Sequence, residues 1–242
     1  MVYIYRVSYD DPLMRGIEDE RPWNLSALIQ ELSSPNKTLL DVGCGTGTKL
    51  LPLSSLFGSV IGVEPNPAML QQAQLRIDAQ KLTHVQLAEG YAHKLPINNS
   101  SIDVLTCMLS AHEVTEVFRV LKPNGTAIIE MQGELDKKTL KDYFFDAQQQ
   151  PRGQFSYLPA SSMRTINYVA FRELFQEVIV LDGSWDFYLT WEGLVSLLNN
   201  TPTIRDFNLE RDATILKKAA QDLSTEKGIK LSHHRVLLIA KK

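Results

Sequence analysis

A chain of 242 residues, 44% of them hydrophobic, can bury a sizeable core as one domain or as a domain with a cap. A formal net charge of -3 and a pI near 6.0 give no basic footprint, which argues against nucleic acid or an anionic membrane surface as partner. The opening MVYIYRV lacks a basic region ahead of a long apolar core, and no later apolar run approaches bilayer length, so a cytoplasmic protein is expected.

In chain order, residues 1–36 are expected to form N-terminal cap helices, and they carry Tyr3, Tyr5, Tyr9 and Trp23. From there apolar runs of strand length alternate with amphipathic runs of helix length, the pattern of a parallel sheet with helices on both faces. The predicted strands are 38–42, 60–63, 85–87, 104–107 and 127–131, with helices near 48–56, 68–79 and 112–121. LKPNG, with Pro123 and Gly125, supplies a stop after the last of these. QQQPRGQ at 148–154 reads as a loop, a helix follows at 168–176, and closing strands are predicted at 178–181 and 236–240. The long segment between those strands, 182–232, reads as an insertion over the mouth of a pocket. The expectation is one domain, 1–242, with a cofactor-binding core at 37–131 and the remaining sheet plus a substrate cap at 132–242.

The core opens on LLDVGCGTGTKLLPL, in which an apolar strand ends at Asp41 and Val42 and Gly43, Cys44, Gly45, Thr46 and Gly47 turn the chain. Bare backbone at the carboxyl end of a strand lets a ligand approach the main chain, and glycine reaches backbone angles closed to other residues. A phosphate-binding P-loop does not fit, because Gly47 is followed by Thr48 and then Lys49, and the glycine spacing is too short. The dinucleotide fingerprint fails at its last glycine, which would fall on Thr48. The next strand ends in Glu64, about twenty positions after Gly43, where a carboxylate can accept hydrogen bonds from both hydroxyls of a ribose.

LLDVGCGTG, VIGVEPNPAML, GYAHKLPINNSSIDVLTC and VFRVLKPNGTAIIE together resemble a class I S-adenosylmethionine-dependent methyltransferase, in its small-molecule branch, over residues 38–131. The resemblance implies a doubly wound α/β fold, a mostly parallel, Rossmann-like sheet of seven strands with a helical insertion near the C-terminus, and S-adenosyl-L-methionine as cofactor. It implies that Asp41, Gly43 and Gly45 line the methionine part, that Cys44 between them also meets the cofactor, that Glu64 binds the ribose, and that Pro65 to Met69 flank the adenine. Where the family often has Gly-Asp-Ala, this chain has Gly90, Tyr91 and Ala92, so main-chain groups or the Tyr91 ring would have to meet the adenine.

A sulfonium already makes its methyl group electrophilic, so catalysis rests mainly on holding a nucleophile in line, where orientation contributes about 7–11 kcal/mol. No metal is expected. A base is needed only if the acceptor must lose a proton; His112 is the candidate, ahead of Tyr91 and His93, with a structural hydrogen bond at a helix start as the competing role. Cys44 and Cys107 read as small buried thiols on neighbouring strands, and the pair His233–His234 as a strand entrance. Trp185, Phe187, Tyr188 and Trp191, with the N-terminal aromatics, would form a lid over a small apolar acceptor or pack the cap. The alternatives are a nucleic-acid methyltransferase, with KKAAQDLSTEKGIK as its only lysine-rich stretch, and a nucleoside-binding regulatory module that has lost transfer.

Overall fold

A computed structural model describes residues 11–242. Tyr3, Tyr5 and Tyr9 lie outside the described residues. In chain order the elements are a short 3-10 turn at Pro12–Met14, β1 (Ile17–Glu18), α1 (Leu25–Leu32), β2 (Ser34–Val42), a 3-10 segment at Leu51–Leu56, β3 (Phe57–Glu64), α2 (Pro67–Gln80), β4 (Val85–Glu89), β5 (Ile102–Met108), α3 (Val114–Val120) and β6 (Leu121–Gln132). Then come α4 (Lys138–Lys141), α5 (Ser162–Arg172), β7 (Glu177–Leu189), α6 (Trp191–Asn200), α7 (Leu209–Asp222), β8 (Ser224–Thr225) and β9 (Gly228–Lys241).

The strands form one sheet in the order β1-β7-β9-β6-β5-β2-β3-β4, with β8 paired to β9. The pairs β2–β3, β2–β5, β3–β4 and β5–β6 are parallel, whereas the two-residue strands β1 and β8 pair antiparallel to β7 and β9. The seven longer strands match the expected sheet, and the two short ones are additions. The chain divides into two compact units. The core unit comprises Trp23–Met131, Arg164–Leu181 and Val236–Lys242; the second comprises, of the described residues, 11–22, Gln132–Met163 and Asp182–Arg235.

In the core unit β2 lies mid-sheet, so its last four residues, from Leu39 to Val42, are all buried. Leu39, Val60, Val85, Val104 and Leu237 meet Leu50, Leu53, Ile29 and Ile77 in one apolar cluster. α2 begins cleanly because the Asn66 side chain accepts the Ala68 amide and Pro67 is pre-set for a first helical turn. Its buried residues, Met69, Ala73 and Ile77, recur every four positions, as a helix with one face inward requires. The second unit has its own core, in which Leu140, Phe144, Phe187, Leu194, Leu216 and Leu231 are buried together.

Three predicted elements come out differently. The stretch after the glycine turn is a six-residue 3-10 segment and not an α-helix: Pro52 offers no N–H, Ser54 Oγ bonds the Leu51 carbonyl at 2.7 Å, and β3 starts at once. LKPNG is taken into β6 as a bulge, since Ile102 pairs with Leu121 while Val104 pairs with Thr126, and Asn124 takes a left-handed φ of 65°. The strand predicted at 178–181 runs on to Leu189, so Trp185, Phe187 and Tyr188 lie on β7 and not in an insertion loop. Asp182 and Asp186 look like strand breakers in sequence, yet each is held from β9, by His234 Nε2 at 2.6 Å and by Ser232 Oγ at 2.6 Å.

Candidate active site

The glycine turn is fixed to the end of β3 by the backbone, with the amides of Gly43 and Cys44 both donating to the Val63 carbonyl, at 2.7 and 3.1 Å. Gly43, Gly45 and Gly47 all have positive φ, at 76°, 56° and 79°. For Gly43 the need is double, because a Cβ there would also fall on the Ser110 hydroxyl. Arg76, from α2, holds the far side of the turn, its Nη1 lying 3.0 Å from both the Thr46 carbonyl and the Thr46 hydroxyl and within reach of the Thr48 hydroxyl.

Glu64 closes onto the same turn. Its two carboxylate oxygens accept separately, Oε2 from the Gly45 amide at 3.1 Å and Oε1 from the Asn66 amide at 3.0 Å, and the residue is only 4% exposed. Burial raises its pKa, and the Asn66 and Gly45 amides pull the other way by stabilising the anion. Each oxygen keeps a second acceptor direction, so two further donors can be bound without breaking either amide contact.

Asp41, at the end of β2, is buried and accepts from Thr106 Oγ1 at 2.7 Å. Burial lifts its pKa to about 6, against the Thr106 hydrogen bond and the Lys49 ammonium, while the negative charge of Glu64 adds to the rise. Met69 is buried on the first turns of α2 with its sulfur beside Gly45, and Pro65 is partly buried between Glu64 and α2. Gly43, Cys44, Gly45, Glu64, Pro65 and Met69 therefore form one contiguous group. Cys44 and Cys107 are buried free thiols whose pKa values burial pushes up, that of Cys107 to about 12.

Tyr91 and Ala92 follow β4, the neighbour of β3, and the Gly90 amide donates to the Glu64 carbonyl at 3.3 Å. The Tyr91 ring is 55% exposed, with His93 at 5.7 Å between ring centroids. Arg119, the arginine of RVLKPNG, clamps the loop beyond them: it donates to the carbonyls of Leu95 and Ile97 and to Asn99, and is held by Glu116, which accepts the Leu95 amide. His112 lies just before α3, where its Nε2 is 3.0 Å from Asn167 Oδ1 of α5 and its ring is 5.8 Å from that of Phe171. Burial lowers its pKa, so the ring is neutral near pH 7.

Ser110, Thr106, Arg76 and Arg119 escaped sequence reasoning as supports of this group. Arg119 alone carried a signal, lying inside VFRVLKPNGTAIIE, a stretch read for its family resemblance and for the helix stop at LKPNG but not for this residue. Trp185, Phe187 and Tyr188, read as a lid or as packing, are buried in the second unit: Phe187 stacks on His233 at 3.9 Å, and Trp185 Nε1 donates to Glu18 at 3.3 Å. Trp23 donates to Glu130 within the core unit, at 3.0 Å. Among the described residues no group of three or more His, Cys, Asp or Glu could hold a metal ion, and no helix is long and apolar enough to cross a membrane.

Glycine turn, strand-end carboxylate and sheet order together form the kind of strand-end crevice at which open α/β sheets bind their ligands. Residues 40–129 match the family model described as a methyltransferase domain. The demethylmenaquinone methyltransferase of Lactiplantibacillus plantarum is 27% identical over 182 residues, 65% of this chain and 76% of that protein. Several other curated relatives are matched over about half their length or less. The crystal structure of YcgJ from Bacillus subtilis has the same fold at a TM-score of 0.64 and 19% identity, over 90% of this chain and 97% of that one. Geranyl diphosphate C-methyltransferase from Streptomyces coelicolor, solved with geranyl diphosphate and S-adenosyl-L-homocysteine, shares the fold at a TM-score of 0.51 and 16% identity, over 89% and 78% of the two chains. Residues 40–129 therefore carry a methyltransferase domain, and the similar proteins support an S-adenosylmethionine-dependent methyltransferase with S-adenosylmethionine as cofactor.

Proposed function

We propose that the protein transfers the methyl group of S-adenosylmethionine to a small-molecule acceptor by in-line displacement. The observation that carries this reading is the pairing of Gly45 and Glu64, which puts a bare turn and a doubly anchored carboxylate at one place. Glu64 would receive the two ribose hydroxyls on its free acceptor directions, with the Gly45 and Asn66 amides aiming it and favouring its anionic form against the effect of burial. Gly43, Cys44 and Gly45 would offer main chain to the methionine part, and Asp41 a negative charge to its cationic groups. Pro65 and Met69 would flank the adenine on one side, with Tyr91 and Ala92 at its edge. The bound cofactor supplies an electrophilic methyl on a sulfonium, so the chain's own task is to orient the acceptor and exclude water.

The small-molecule class is supported by two facts about similar proteins, one named for demethylmenaquinone and one solved with geranyl diphosphate, and by the absence of a net basic charge on this chain. His112 would act as base only for an acceptor that must be deprotonated, and its bond to Asn167 competes with that role. The test is isothermal titration with S-adenosylmethionine and S-adenosylhomocysteine, followed by a transfer assay over a metabolite panel that includes RNA and DNA. Transfer to a metabolite is the expected result; transfer to nucleic acid alone, or tight binding with no transfer to anything, overturns it.

A further inference from the structure

The second unit contains a lysine in an unusual setting. Lys141, the last residue of α4, is 2% exposed, yet its ammonium donates to a single acceptor, the Gln154 carbonyl at 2.7 Å. It forms no ion pair among the described residues. An ammonium carries three donors, so two are left without an acceptor among the described residues.

The surrounding charges make this position less favourable still. The central carboxylate, Asp136, is fully buried and already engaged by Lys137 Nζ at 2.6 Å, by the Arg235 guanidinium, and by Gln132 Nε2 at 3.0 Å. Lys137 and Arg235 are themselves buried, so two cations are already paired with this one carboxylate and Lys141 adds a third buried cation that is not. Glu134, the other buried acid of this stretch, accepts from the backbone amides of Ser161 and Met163 and is not paired with a cation among the described residues. Around these groups the walls are aromatic, with Lys137 Nζ 5.7 Å from the Phe187 ring centroid and Arg235 5.8 Å from that of Trp185. Burial pushes the Lys141 amine down to about 8, with Lys137 and Arg235 adding to the drop and Asp136 opposing it.

A fold gains nothing in stability from an uncompensated buried cation, since a hydrophobic residue of similar volume is commonly as good or better. The packing nevertheless accommodates this one closely: a Cβ at Gly153 would come within 2.7 Å of the Lys141 Cβ, so the chain carrying the Gln154 carbonyl is pressed against the lysine stem. We propose that Lys141, backed by Lys137 and Arg235, forms an oxyanion site that takes the carboxylate or phosphate group of a small molecule through its two unused ammonium protons. Asp136 keeps Lys137 and Arg235 in place, and the incoming anion supplies the missing negative charge.

The experiment is titration calorimetry on the whole chain, without cofactor, using inorganic phosphate in one arm and benzoate in the other. The wild-type protein binds at least one of them, and which one responds identifies a phosphoryl or a carboxylate ligand. Lys141→Met keeps the stem and removes the charge; it weakens that binding at least tenfold while melting no lower than the wild type. Lys141→Arg retains binding and serves to assign the Lys141 signal in spectra of the [13C-ε]lysine-labelled wild-type protein, where that signal shifts on titration. That shift decides the matter should Lys141→Met fail to fold. No binding of either anion by the wild type, undiminished binding by Lys141→Met, or anion-induced shifts confined to other lysines overturns the proposal.

Discussion

Gly43→Ala is the sharpest single perturbation of the candidate site. At a φ of 76° an L side chain costs about 1–3 kcal/mol. The new methyl would also overlap the Ser110 hydroxyl and its Cβ, and pushing Ser110 and its loop aside adds about 1–3 kcal/mol, as overpacking in a closely fitted interior does. The expected loss is roughly 2–6 kcal/mol, which lowers Tm by roughly 5–20 °C for a chain of this size. Thermal melts followed by far-UV circular dichroism, with urea titrations alongside, measure it. Ser110→Gly in the same chain removes the overlap but not the backbone strain, so the double mutant recovers only part of the loss, read against Ser110→Gly alone as a cycle. A Gly43→Ala protein within about 0.5 kcal/mol of wild type would show that neither the left-handed turn nor the Ser110 contact matters, and the account of the turn would fall.

Glu64→Gln places an NH2 group against either the Gly45 or the Asn66 amide, and leaving one such donor unpaired costs about 1–3 kcal/mol. We expect affinity for S-adenosylmethionine to fall about 10- to 100-fold in titration calorimetry; unchanged affinity removes Glu64 from the binding group. Asp41 sets a pH dependence. Its folded pKa of about 6 lies above the ordinary 3.8, so the folded chain favours the protonated acid. The resulting stability is fully present below pH 3.8 and is lost as pH rises through about 6, amounting to about 3 kcal/mol at 1.36 kcal/mol per pH unit. Asp41→Asn flattens that slope in ligand-free melts, and in the wild type the cationic cofactor binds more tightly as pH rises from 5 to 7; a wild-type stability flat over that window refutes the assignment. His112→Ala is expected to lower turnover less than tenfold and to leave the pH profile unchanged, because the imidazole is bonded to Asn167. A loss of about a hundredfold with one limb of the profile missing, the scale of general-base catalysis, would make His112 the base.

The parts of the fold legible in the sequence are those whose cause is local. Strands 60–63, 85–87 and 104–107 lie inside β3, β4 and β5, and the helix at 68–79 inside α2, because apolar period, an Asn–Pro cap and sheet burial all act over a few residues. The glycine turn and Glu64 were readable because bare backbone and a carboxylate at successive strand ends have few structural reasons to recur together. By contrast, Asp182, Gly183 and Ser184 read as an ending, and only partners 46 and 52 positions away in sequence, at Ser232 and His234, carry β7 through them.

The sequence by itself determined that the chain folds as a mostly parallel α/β sheet and which strand ends carry the glycine turn and Glu64, since those follow from hydrophobic period and from residues a few positions apart. Only the tertiary structure decided that Ser110 forbids a side chain at Gly43, that both amides anchor Glu64, that His112 is tied to Asn167, and that Lys141 is buried beside two other cations. Each of these depends on groups far apart in sequence that share a position in space, and on the loss of water around them, which fixes charge and hydrogen bonding only once the chain has closed.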